Sequence, residues 1–224
     1  MVVGILIALQ VNNWNEGLKD REKELLILRE IRSDLQVDLE EFERNIGHLE
    51  NQQVASLRML EIVKEDLAYD DSYGFYLFYL RMFPRFTPKT GGYQLLQNRG
   101  LDLVSNDDLR RAITDLYEFG YPYIRAKEAD LKTFYATQID SFINKYTGTK
   151  SYTAENIPKD LKFHEDMASL RFVTMRGFDE FKKDFDFHAA IKYAQGDGAS
   201  YLFSHEYSLR DITNLLEKLK AELE

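Results

Sequence analysis

The chain contains no cysteine. That excludes disulfides, thiolate nucleophiles and cysteine-ligated zinc. It leaves the compartment open, because a reducing cytoplasm and an oxidising periplasm both tolerate a thiol-free protein. Proline and glycine are scarce, 4 and 12 among 224 residues. An all-β domain needs more of both for its turns, so the scarcity points to long uninterrupted helices. Positive charge is in deficit as well: 29 Lys and Arg stand against 38 Asp and Glu, a net charge of −9. Such a chain gains nothing from phosphate counterion release, which argues against nucleic acid as a partner. The apolar run at the start, Met1–Leu9, covers about 14 Å of helix, half the hydrocarbon thickness of about 30 Å, and does not cross a bilayer alone.

What the chain does have is sustained helical periodicity. Leu28, Ile31, Leu35, Leu39, Phe42, Ile46 and Leu49 recur at steps of three or four, and Leu57 and Leu60 continue the series. This is a seam near a 3.5-residue period, typical of long helices packed at shallow angles. The run ends at a turn over Tyr69–Ser72. "YGFYLFYLRMFPRFTP" predicts a short aromatic helix over about 73–83, stopped by Pro84 because the residue before a proline avoids the helical region. Thr87 and Pro88 read as the cap and first residue of a helix that reaches Asn98 and closes at Gly100. Ser105 and Asp108 in "SNDD" form a capping-box variant. Beyond it Leu109, Ile113, Leu116, Ile124, Leu131, Phe134, Ile139 and Phe142 line one side of a long helix, which Pro122 should kink or break.

The stretch "YTGTKSYTAENIPKD" reads as a loop, and 161–176 and 178–184 as short helices. "LRFVTM" has strand character but no evident partner. Gln195–Gly198 reads as a break before a final helix carrying Leu202, Leu209, Ile212, Leu216, Leu219 and Leu223. The expected fold class is therefore all-α: an elongated bundle of long antiparallel helices with shorter connecting helices. The bundle spans 17–224 and follows an N-terminal stub over 1–16.

Chemistry is sparse. His164-Glu165-Asp166, His188 and His205-Glu206 are the only metal-like material, and none sits in a His-Glu-x-x-His spacing. The carboxylate pairs Glu40-Glu41, Asp107-Asp108 and Asp184-Asp186 read as solvated faces and caps. No catalytic residue, metal site or cofactor is expected. The aromatic helix is a core plug at the end of the bundle. The alternative is a ligand or partner surface made by Tyr76, Tyr79, Arg81, Arg85 and Tyr93.

The opening "MVVGILIALQVNNWNE" is the most distinctive stretch. Val2, Val3, Ile5, Leu6, Ile7 and Leu9 cover all sides of a helix, which suits a wholly buried helix or one in lipid. Trp14 among Asn12, Asn13 and Asn15 suits a membrane interface. "VVGILIALQVNNWNE", with "TPKTGGYQLLQNRGLDLVSNDDLRRAITDLYE" in the middle of the chain, resembles a domain-of-unknown-function family of bacterial single-pass membrane proteins. The resemblance implies that the opening is the second half of a transmembrane anchor preceded by a basic tail. By the positive-inside rule the helical domain would then lie on the periplasmic side of the inner membrane. The codons upstream of Met1 should encode about ten further apolar residues after Lys or Arg. The family carries no established activity. The expected function is a membrane-anchored envelope scaffold or protein-interaction module, self-associating or with a partner. The alternatives are a ligand-sensing helical domain acting with a partner and a metal-dependent enzyme.

Overall fold

A computed structural model of the protein describes residues 2–152, 157–162 and 172–224. It is predominantly helical. Helix α1 (Val2–Lys64) is followed by α2 (Tyr73–Arg81), α3 (Gly91–Arg99), a 3₁₀ turn (Leu101–Leu103) and α4 (Asp107–Asp115). Next come α5 (Tyr121–Phe134), α6 (Asp140–Tyr146), strands β1 (Thr147–Tyr152) and β2 (Phe172–Met175), α7 (Phe178–Phe181) and α8 (Phe185–Leu223). Two compact units share these elements. The first holds Met1–Glu41, Thr87–Pro122 and Ser208–Glu224; the second holds Phe42–Phe86 and Tyr123–Tyr207.

In the first unit the start of α1 runs against the end of α8. Arg21 bonds Glu222 at 2.7 Å, and Leu28, Ile31, Leu35, Ile212 and Leu219 are fully buried. The carboxylates of α1 tie down the connection that follows α2 and leads into α3. Glu41 accepts from the Thr87 N–H at 3.0 Å, Asp38 from Lys89 at 2.9 Å and Asp34 from Gly92 at 2.7 Å. Thr87 and Pro88 therefore do not start a helix, as the local capping signal suggests. The helix starts at Gly91, its Thr90 N-cap gives no side-chain bond, and Asp34 of α1 supplies the missing acceptor and a favourable charge at the helix N-terminus. Ser105 is displaced in the same way. Its N–H and hydroxyl go to buried Glu24, and Asn106 caps α4 by accepting from Asp108 and Leu109. Gly100 closes α3 at φ 102°, as expected of a helix-terminal glycine.

Pro122 does not break its helix. A π-helical turn, Leu116–Gly120, precedes it, with the Tyr121 N–H bonding Leu116 O. This one-residue shift in bonding accommodates a residue that has no N–H to give.

In the second unit the α1 seam changes character. Leu57 is exposed, while Asn45, Asn51, Gln52 and Ser56 are buried. Asn45 donates to Arg85 O at 3.0 Å and Gln52 to Met82 O at 2.9 Å, so buried amides satisfy the non-helical backbone after α2. The strand-like "LRFVTM" finds its partner in the "TGTKSY" read as loop. β2 pairs antiparallel with β1, Met175 opposite Thr147 and Phe172 opposite Tyr152. A pairing between segments twenty residues apart leaves no local signal. Nor does Gly196-Asp197-Gly198 break α8, which runs through it. At Gly198 a Cβ would meet Gln53 Nε2 at 2.5 Å and Gln52 Oε1 at 2.8 Å; the glycine serves close approach to α1 rather than helix termination.

Candidate functional site

The first turns of α1 stand clear of the first unit's core. Val3, Ile5, Leu6, Ile7, Leu9 and Trp14 are between 53% and 69% exposed, so the stretch is not a buried helix end. The side chain of Val2 lies outside the described residues. Among the described residues no helix is long and apolar enough to cross a membrane.

Two turns beyond Trp14 the first unit opens a groove of about 410 Å³ between α1 and α3. It is lined by the apolar Leu26, Ile27 and Leu95 and by the charged Lys19, Glu22, Lys23 and Arg99. Both leucines are about half exposed, at 57% and 47%. The Gly92–Asp34 bond and the close approach of Gly92 to the Ile31 backbone hold α3 against α1. None of this is visible in the periodicity, because Leu95 and Arg99 meet α1 only once α3 is docked.

Of the five residues of the alternative ligand or partner surface, the three tyrosines are buried. Tyr79 is fully buried, and Tyr76 is buried with its hydroxyl donating to Asp160 at 2.9 Å. Tyr93 belongs to the first unit, stacked on Tyr117 at 4.4 Å and donating to Glu118 at 2.7 Å. Burial, reinforced by that carboxylate, pushes its phenol up to about 12. Only the arginines are exposed, Arg81 in an ion pair with Asp140 at 3.1 Å. The physical reason is composition: a helix with Phe or Tyr at five of its nine positions buries its rings where apolar surface is available.

Of the metal-like residues, His164, Glu165 and Asp166 lie outside the described residues. The His188 ring bonds Phe181 O at 2.7 Å. Among the described residues no three carboxylates or imidazoles converge on a point that could hold a metal ion. Asp184 acts as a cap for α8, accepting from the Phe187 N–H at 3.0 Å and from Lys145 at 2.6 Å.

His205 is fully buried between Phe42 and Tyr201. Its Nδ1–H donates to Tyr201 O at 3.1 Å, and Nε2 has no partner. Burial pulls its pKa down to about 4, so the folded protein holds it neutral while the unfolded chain protonates it near 6.5. The stability this provides is present above pH 6.5 and is lost as the pH falls toward 4. Over that window the wild type should lose on the order of 3 kcal/mol that a His205→Phe variant keeps. Urea unfolding of both proteins across the window measures the difference, and identical pH profiles would refute the buried-neutral assignment. Phe83 stacks on Tyr201 at 5.4 Å and on Tyr135 at 5.1 Å, and both phenol hydroxyls are buried without a partner. The histidine is thus packed between rings and bonded to a backbone carbonyl, an arrangement that builds a core.

No curated protein and no solved structure matches the chain. The family of unknown function DUF6090 matches it over residues 1–174, and the chain belongs to that family.

Proposed function

We propose that this protein is a membrane-anchored, non-enzymatic interaction module of the bacterial envelope, held at the inner membrane by the start of α1 with its helical units on the periplasmic side. The observation that carries the reading is the exposure of an apolar helix end on all sides. Monomeric soluble proteins rarely leave so large an apolar patch in water, and each buried methylene is worth about 0.8 kcal/mol. The polar band Asn12-Asn13-Trp14-Asn15 follows it, as at a lipid–water boundary. The reading is also supported by structural uses of the buried polar groups: His205 bonds the Tyr201 carbonyl, and Asp38 and Glu24 accept from the Lys89 and Ser105 N–H groups.

The test is fractionation. The tagged native chain, expressed in a bacterium, is expected in the membrane pellet. Ile5→Asp with Leu9→Asp should release it, because a charge at the centre of an inserted helix is disfavoured by about 3 kcal/mol. Recovery of the wild type in the soluble fraction would overturn the reading.

A further inference from the structure

We infer that the α1–α3 groove of the first unit binds the headgroup of an anionic phospholipid from the leaflet in which α1 is anchored; this rests on the membrane reading above. Two observations point there. The first is position. Lys19 and Lys23 lie about 8 and 14 Å along the helix from Trp14. If Trp14 sits at the interface, these ammonium groups stand at the level of the lipid phosphates. The second is charge. In a chain of net charge −9, the groove carries Lys19, Lys23 and Arg99 against Glu22 alone. Lys23 also pairs with Asp20 at 2.7 Å, an exposed bond of little strength that a phosphate can replace. Lys19 and Arg99 take part in no ion pair among the described residues, and a guanidinium matches a phosphate with two parallel hydrogen bonds.

Leu26 lies about 18 Å along the helix from Trp14, farther from the membrane than the two lysines, so the lipid is held through its headgroup phosphate and not through its chains. Beside an anchored helix, the anion these cations meet at the highest local concentration is a lipid phosphate.

Flotation of the full chain with vesicles separates this inference from the anchor reading. Affinity for phosphatidylcholine vesicles reports the anchor. Replacing about a quarter of that lipid with phosphatidylglycerol should raise the affinity roughly tenfold. Net charge alone predicts the opposite, since an acidic protein is repelled by an anionic surface. In Lys19→Gln/Arg99→Gln the ratio of the two affinities should fall to about one, and Leu95→Asp should reduce it as well. Equal or weaker binding to the anionic vesicles, or a rise that survives the double substitution, overturns the groove and leaves the anchor standing. Binding to neither vesicle overturns both.

Discussion

Asp38→Ala is expected to lower stability by roughly 3 kcal/mol at pH 4.5, and by about 2 kcal/mol less at pH 7.5. Asp38 has no exposed surface. It accepts from the Tyr121 hydroxyl at 2.7 Å and the Lys89 N–H at 2.9 Å. Alanine removes both of these bonds and opens a small cavity beside the buried Tyr121 ring. The pH dependence comes from the carboxyl itself. Burial pushes its pKa up to about 6; the Tyr121 and Lys89 bonds oppose the rise, and neighbouring Glu41 and Asp34 add to it. A folded pKa above the unfolded one means that the fold prefers the protonated acid. The stability that follows is fully present below about pH 4 and is lost as the pH rises through 6. The alanine variant has no such group, so the gap between variant and wild type narrows toward neutral pH. Urea unfolding of the two proteins at the two pH values measures it, and a pH-independent gap would mean that Asp38 is already ionised at the acidic end. The direction is opposite to that of His205, so acidification from pH 6.5 to 4 should stabilise the first unit through Asp38 and weaken the second through His205.

Gly92→Ala should destabilise the protein by about 2 kcal/mol and disturb the groove. A Cβ at this position would lie 2.5 Å from Ile31 N and 2.9 Å from both Glu30 C and Ile31 Cα. These are backbone atoms of a 63-residue helix, and they do not give way. Instead α3 must retreat, stretching the Gly92–Asp34 bond. Such overpacking costs about 3 kcal/mol, and alanine's better helix propensity offsets roughly 1 kcal/mol. Gly91→Ala is the control, for its Cβ would make only an ordinary 3.6 Å contact with Asp34 Oδ2. Equal thermal stability of the two variants would refute the close-contact argument. Since Leu95 and Arg99 ride on α3, Gly92→Ala should also reduce the preference for anionic vesicles.

Much of the architecture was legible in the sequence. The α1 seam from Leu28 to Phe42, the aromatic helix near 73–83, the glycine stop at Gly100 and the inward face from Leu109 to Phe142 are all local signals, written in steps of three and four or in a single capping residue. They failed where a partner distant in sequence took over the local role. Asp34 replaced a cap at Thr87, Glu24 drew Ser105 away from its helix, and Asn45 and Gln52 are buried where periodicity reads the seam through Ile46 and Leu57. Each is a polar side chain on α1 that satisfies backbone groups of a segment some thirty to eighty residues away.

The sequence by itself determined the helical class and the apolar, tryptophan-terminated start of α1, because both follow from composition and short-range spacing. Only the tertiary structure decided that the tyrosines of the aromatic helix face inward, that "TGTKSY" and "FVTM" pair, and that Lys19, Lys23 and Arg99 border one groove. Those outcomes depend on which surfaces meet once α1 has bound the backbone of its neighbours. The free energy of burying rings and satisfying buried hydrogen bonds is a property of the assembled contacts, which no window of adjacent residues contains.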